Sequence, residues 1–329
     1  MKKIFSLMCG MAIALFCTNT MMAQNEVLSA TLQHGDETSI FTGVDALVSA
    51  CNAAQSGDVI TLSAGTFNLN RALPKSISIY GAGFEKDEIT NTNVTTVCNN
   101  DLWTSISDGD LHLEGLYFNK TIRIYDFEGD ENIENFSMAK CYVPGNIEIQ
   151  ARISNSQISQ CVVTGSISGL DAQNVLISNC WIGGTVWFNT DNSAVINNSI
   201  ITGFQGSANT WRNCIFTGYG QYQSYGSGLA FNCILRSDVA GWQSYGLQLT
   251  DCYTVPCSEI FADGTDAAYA ATRTFELQQP IVWLGTDGTE AGIRGGNGWS
   301  KVPATPVVKN LQLQVNGATL NVTYDAEVR

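Results

Sequence analysis

Cysteine is the side chain most able to do chemistry in this chain, and eleven are present among 329 residues. Their spacing decides which chemistry is open to them. Six phrases share one grammar: Lys-Cys-Tyr-Val-Pro-Gly at 140–145, Gln-Cys-Val-Val-Thr-Gly at 160–165, Asn-Cys-Trp-Ile-Gly-Gly at 179–184, Asn-Ser-Ile-Ile-Thr-Gly at 198–203, Asn-Cys-Ile-Phe-Thr-Gly at 213–218 and Asn-Cys-Ile-Leu at 232–235. A degraded seventh copy is Asp-Cys-Tyr-Thr at 251–254. Aligned on Cys141, Cys161, Cys180, Ser199, Cys214, Cys233 and Cys252, the intervals are 20, 19, 19, 15, 19 and 19 residues. A count of cysteines invites a disulfide framework or a metal site, but a period indicates a structural repeat.

Two further groups carry chemical potential. Asp126, Glu128, Asp130, Glu131 and Glu134 fall within nine positions. Hard cations want several carboxylate oxygens, so Asp126, Glu128, Asp130 and Glu131 are candidate Ca²⁺ ligands. The same run also reads as a solvated acidic insertion, because its spacing matches no ordered ligand pattern. Aromatic side chains concentrate later, at Trp187, Phe188, Phe204, Trp211, Phe216, Tyr219, Tyr222, Tyr225, Trp242 and Tyr245. Gln-Ser-Tyr-Gly occurs at 223–226 and again at 243–246, one repeat apart, which places Tyr225 near Tyr245 with Trp242 beside them. Flat aromatic faces bordered by Gln, Ser and Asn suit the apolar face and hydroxyl edges of a sugar ring. Trp187, Tyr219, Tyr222, Tyr225, Trp242 and Tyr245 are therefore the candidate glycan-binding residues. The alternative is an aromatic stack that fills the interior or braces loops.

The elements that position these groups follow from the period. A unit of about 19 residues with three short, β-branched apolar runs separated by Gly, Asn and Ser is too short for a helical pair. Coiled into a parallel β-helix, each strand bonds its equivalent one turn away, about 4.8 Å along the axis. Equivalent side chains then stack in ladders. A Cys or Ser at an inward position fits a crowded stack, the Asn beside it tolerates a left-handed bend, and the later Gly permits the next corner. Nine cysteines follow residue 23, and six of them lie on this ladder, where parallel Cβ bonds suit stacked thiols better than bridges. Cys252 and Cys257 are the best-placed pair for a disulfide, and Cys51 and Cys98 read as isolated core residues.

Residues 40–83 give a short amphipathic helix with Val44, Leu47, Val48 and Cys51 on one face, ending near Gly57, followed by strands at Val59–Leu62, Thr66–Leu69 and Ile77–Tyr80. The order helix, Gly-Asp, strand, Ala-Gly-Thr-Phe, then Ile-Ser-Ile-Tyr-Gly resembles the entry cap of the pectin lyase-like right-handed β-helix superfamily. Between cap and repeats, Leu111 to Phe118 is the clearest strand run. Residues 257–300, with a Pro-containing turn and the phrase Asp-Gly-Thr-Glu-Ala-Gly-Ile-Arg-Gly-Gly, resemble the closing segment of secreted β-helix proteins of Bacteroides-like bacteria. The expected fold is all-β, a right-handed parallel β-helix over 24–300. Residues 301–329 form a linker and a C-terminal β-hairpin turning at Asn316-Gly317, which should dock on the helix or serve a surface assembly.

Residues 1–23 read as a secretory signal: Lys2 and Lys3, an apolar run from Ile4 to Phe16, and a polar end at Ala23. A lipoprotein would use Cys17 as its anchor, but Phe16 before it fits poorly. The expected location is secreted, periplasmic or on the outer surface, with no membrane span in the mature chain. Removing Lys2 and Lys3 leaves 14 basic against 30 acidic residues, moving the formal charge from −14 to −16. Nucleic acid and anionic membranes are poor partners for that surface, and an acidic polysaccharide would need a bridging cation.

The resemblance implies lyase or hydrolase activity only if the catalytic phrases are present. The Asp-Asp, Gly-His-Gly and Arg-x-Lys phrases of polygalacturonases do not occur here, and their Asn-x-Asp spacing is met only at Asn99–Asp101 and Asn189–Asp191, without the other three. His34 and His112 read as structural or exposed, and Arg152, Arg212 and Arg236 have no Asp cluster near them in sequence. The expectation is a non-catalytic β-helix that binds a polysaccharide or glycan through its aromatic corner, with Ca²⁺ as a possible ligand and no required cofactor. Two alternatives remain: a lyase or hydrolase drawing on Asp126, Asp130 or Asp171 with an Arg, and a structural adhesin or spacer.

Overall fold

A computed structural model of the protein describes residues 28–328 apart from 70–72, 74–75, 86–93, 99–101, 105–109, 125–131, 189–192, 206–208, 219–227, 237–246, 265, 304–305 and 317–318. Its strands pair in parallel with their equivalents one coil on, forming a parallel β-solenoid of about seven turns. Register follows the sequence period: Tyr142 pairs with Val162, then Trp181, Ile200, Ile215, Ile234 and Tyr253 in succession. One repeat is one coil.

Each coil turns at the residue before the ladder position. Lys140, Gln160, Asn179, Asn198, Asn213, Asn232 and Asp251 have φ between 46° and 56°. That left-handed conformation is the reason Asn recurs there, since its short polar side chain tolerates it better than most. Gly115, at φ 69°, holds the same place one coil earlier. It splits the expected Leu111–Phe118 strand into His112–Glu114 and Tyr117–Phe118. A second left-handed corner stacks Asn135, Asn155 and Asn174.

Inside the corner, Cys141, Cys161, Cys180, Ser199, Cys214 and Cys233 are wholly buried. Each thiol approaches the carbonyl two residues before it at 3.1–3.3 Å. Ser199 donates to the Asn197 carbonyl at 2.8 Å and accepts from the Cys180 amide at 3.1 Å, the role Cys180 Sγ plays for the Cys161 amide. One hydrogen-bond pattern thus accepts either residue, which accounts for their interchange. Burial pushes the Cys161, Cys180 and Cys233 thiols up, so they stay protonated and inert. Cys252 and Cys257, the best-placed pair for a disulfide, are not bridged. Cys252 stacks in the ladder, whereas Cys257 opens the helical turn Cys257–Ile260. Cys51 is half-buried against the core, and the Cys98 side chain lies outside the described residues.

The entry end contains an element the sequence reading missed. Strands β1 (Ser29–His34) and β2 (Glu37–Thr42) form an antiparallel hairpin through Gly35, and β1 also pairs antiparallel with β3 (Val59–Leu62). Helix α1 (Ala46–Ala53) buries Ala46, Leu47 and Ala50. Val44, expected on that face, precedes the helix and is exposed, while Val48 and Cys51 are half-buried. The helix stops at Ala53 because Ala54 is extended, well short of Gly57. His34 is structural: its Nδ1 lies 2.6 Å from Oδ1 of the buried Asp58, which raises the imidazole pKa first through that hydrogen bond and then through charge.

The closing segment does more than end the helix. After the turn Cys257–Ile260 it packs back along the solenoid, on the side chains of the left-handed corner. Asn232 Nδ2 donates to the Leu284 carbonyl, Asn213 Oδ1 accepts from the Thr286 amide, Asn179 Nδ2 donates to the Ile293 and Gly295 carbonyls, and Gln160 Nε2 donates to the Gly298 carbonyl. Lys301 Nζ reaches Glu85 at 2.6 Å, far along the solenoid toward the entry end. The Asp-Gly-Thr phrase is a turn in which Asp287 accepts from the amide and hydroxyl of Thr289. The glycines that follow allow close approach: a Cβ on Gly295 would come within 2.5 Å of Asn198 Nδ2, and one on Gly292 would strike Ile215. Ile200, Ile215 and Ile234, outward on their coils, are covered by Phe261, Phe275, Leu277, Trp283 and Ile293 in a second core.

Candidate functional site

The open polar surface beside Trp187 is built by one face of the coils. Arg123, Glu148, Ser168 and Trp187 occupy register-equivalent positions on successive strands, so they form one row across the solenoid. Period-two alternation turns Trp187 outward and Phe188 into the core, where its ring meets the space that Gly169 leaves by lacking a Cβ. The row opens on a groove of about 550 Å³ whose walls include Asn146, Glu148, Gln150, Ser166, Ser168 and Trp187.

The groove edge is a rigid polar corner. Thr121 Oγ1 accepts the Asn146 amide at 3.3 Å, Asn146 Oδ1 accepts the Ser166 amide at 2.9 Å, and Ser166 Oγ accepts the Thr185 amide at 3.0 Å. Each side chain holds the next coil, so the edge is preorganised rather than assembled on binding. Glu148 accepts from Arg123 Nε at 2.8 Å on one oxygen and from Asn146 Nδ2 at 3.2 Å on the other. Partial burial alone would raise its pKa, but the hydrogen bonds from Arg123 and Asn146, with the guanidinium charge, outweigh it and hold the carboxyl below its usual range. At neutral pH the groove therefore carries an ionised, fully partnered carboxylate beside an indole.

Of the aromatic side chains expected at the site, Trp187 is the one that the described residues place at a groove. Phe188, Trp211 and Phe216 are buried, which makes them core. Tyr219, Tyr222, Tyr225, Trp242 and Tyr245 lie outside the described residues, as do Asp126, Glu128, Asp130 and Glu131. Among the described residues no three His, Cys, Asp or Glu side chains converge on a metal position. Arg212 lies 5.0 Å over the Phe231 ring and Arg236 donates to the Thr217 carbonyl, so both have structural partners. Arg152 is exposed, and the Asp171 side chain lies outside the described residues.

Sequence reasoning missed two groupings. Glu114, nearly buried, is met by His112 Nε2 at 3.3 Å and Lys140 Nζ at 3.4 Å, with the Tyr80 ring 5.0 Å from that of His112. Only the strand register, pairing Tyr80 with Glu114, brings these together. The second is an aromatic set that the closing segment completes: Tyr117 stacks on Tyr142 at 4.7 Å, and Tyr269 joins Tyr142, Trp181, Phe275 and Trp299. Beside it lies a groove of about 570 Å³ between Arg273, Arg294, Trp299 and Lys301. Its cations are paired, Arg273 with Asp263, Arg294 with Glu290 and Lys301 with Glu85. The alignment of Tyr117 and Tyr142 was present in the sequence as the position after each corner, but their cover lies more than a hundred residues away.

No family model matches the chain, and no curated protein or solved structure is similar enough to match it.

Proposed function

We propose that this is an exported, non-catalytic β-helix repeat protein that binds glycan through outward aromatic positions of its coils. The observation that carries the reading is Trp187, half-exposed beside an open groove whose remaining walls are mainly amide, hydroxyl and carboxylate groups. An indole face offers apolar area to a sugar ring while such groups meet its hydroxyls. The resemblance of the entry cap to pectin lyase-like β-helices supports a carbohydrate ligand, and the leader-like residues 1–23 support export. Tyr219, Tyr222, Tyr225, Trp242 and Tyr245 are proposed as further glycan contacts on the ground of their sequence spacing alone. Among the described residues no helix is long and apolar enough to cross a membrane. The hairpin of Pro306–Asn316 and Thr319–Val328 pairs only with itself among the described residues, and we assign it to a surface assembly.

Titration of the mature protein against plant, host and bacterial glycans tests the reading. Trp187→Ala is expected to weaken binding about tenfold or more with little change in melting temperature, the behaviour of an interface anchor. Tyr225→Ala combined with Trp242→Ala should weaken it as well. Lack of binding to every glycan by the unmutated protein would sink the proposal and leave a spacer or adhesin. New reducing ends or unsaturated product would instead establish a lyase or hydrolase.

Asp126, Glu128, Asp130 and Glu131 are proposed as a Ca²⁺ loop. Saturating calcium should raise the melting temperature, since a ligand of the native state stabilises it by about 2.7 kcal/mol at a hundred times its Kd. EDTA and the pair Asp130→Asn with Glu131→Gln should each abolish the rise. An unchanged melting temperature in calcium would make this run a solvated insertion.

A further inference from the structure

We infer that the Trp187 groove takes an uncharged glycan and rejects polyuronates and sulfated chains; this rests on the glycan reading above and names its substrate class. Glu148 is the single ionisable side chain among the described residues that line the groove. Its carboxylate is held ionised, with Arg123 on one oxygen and Asn146 on the other. The nearest cation of the row is therefore committed to an internal pair and leaves no unpartnered positive charge for an incoming acid. An acidic polymer crossing the row from Trp187 would place a carboxylate or sulfate against Glu148, inside the field of a chain with net charge −14. Like charges set face to face are how interfaces exclude wrong partners.

A neutral ring meets none of that repulsion. It can lie on the Trp187 face, with the Ser168 hydroxyl one strand away in register and Gln150 on the groove wall. The two charges of the Arg123–Glu148 pair lie in the same row, and a neutral chain, having no charge for either to repel, meets them as hydrogen-bonding groups. Arg152 is the next cation along the strand, beyond the register shift that follows Ile149. The cations of the second groove are paired with carboxylates in the same way.

Affinity electrophoresis at physiological salt, in EDTA and in calcium, with a neutral panel (β-glucan, xylan, mannan) and an acidic one (polygalacturonate, alginate, a sulfated glycan) tests this. At least one neutral polymer should bind about tenfold or more tighter than every acidic one. Glu148→Gln releases Arg123 and is expected to raise the ratio of acidic to neutral binding about tenfold, in a salt-sensitive manner. Arg123→Gln should deepen the rejection. Asp36→Asn removes the same unit of charge as Glu148→Gln at the exposed β1–β2 turn and should change neither panel. Acidic binding by the unmutated protein that equals or exceeds neutral binding, with or without calcium, overturns the inference. So does an acid-to-neutral ratio that Glu148→Gln leaves unmoved, or that Asp36→Asn moves as far. Failure to bind any glycan removes the functional reading itself, a result distinct from binding of the wrong class.

Discussion

Asn179→Gly is expected to lower unfolding stability by about 2–4 kcal/mol, whereas Asn155→Gly should stay within about 0.5 kcal/mol of the parent. Both residues are Asn, and both hold the left-handed conformation, at φ 51° and 50°. Glycine satisfies that backbone requirement equally well in each, so the comparison isolates the side chains. Asn155 faces solvent and accepts one exposed hydrogen bond from Asn174 at 2.8 Å. Asn179 is nearly buried and donates to two carbonyls of the closing segment, Ile293 at 2.9 Å and Gly295 at 2.7 Å. Removing the amide leaves both acceptors facing a dry cavity, and an unmade buried hydrogen bond costs the full desolvation of the group. Asn179→Ala adds about 1–2 kcal/mol, because a Cβ without a polar side chain is strained at positive φ.

Urea unfolding gives the free energies, and limited proteolysis of 284–303 shows where the loss falls. The segment should become cleavable in Asn179→Gly while the coils remain protected, since a solenoid's stability is largely the sum of neighbouring interfaces. Equal effects at Asn155 and Asn179 would mean that the corner, and not the docked segment, is what the side chain serves.

That contrast also marks what the chain disclosed in advance. Period, strand direction, inward thiols and left-handed Asn corners all follow from local sequence, because each coil repeats the same steric problem and solves it with the same residue types. The role of Asn179 does not, since its acceptors lie 114 and 116 residues away and carry no signal in their side chains. The Gly-Ile-Arg-Gly-Gly phrase was recognisable as a closing phrase, but its reason, backbone pressed on Asn198 and Ile215, is tertiary. The entry hairpin escaped because Ser29–Thr42 alternates weakly and β2 is mostly exposed. At the site, Trp187 was legible as an aromatic among many. The Arg123–Glu148 pair was not, because 25 residues separate its members and only strand register makes them neighbours. Starting α1 two residues early, at Val44, placed that side chain inside; the burial of Ala46, Leu47 and Ala50 sets the true face.

Trp211 gives the sharpest separation of scaffold from surface among the aromatics. Trp211→Ala is expected to cost about 3–5 kcal/mol, the range for a large buried aromatic. Its side chain is 1 % exposed and is the bulkiest of the fully buried set. The ring meets Phe216 edge-on, with centroids 5.3 Å apart and planes at 65°. It sits in the coil between Ser199 and Cys214, whose 15-residue length is the shortest interval of the ladder. Truncation there leaves a void that neighbouring coils, fixed by ladder hydrogen bonds on each side, can fill only partly. A drop in melting temperature on the order of 10 °C should follow. Trp187→Ala, on the outer face of a nearby coil, should leave the melting temperature within a few degrees and act on glycan affinity instead. The two variants are therefore expected to dissociate, one losing stability with binding intact at a temperature where it is folded, the other losing binding with stability intact. Were Trp211→Ala to abolish glycan binding while keeping its melting temperature, the assignment of this ring to the core and of Trp187 to the ligand would have to be exchanged.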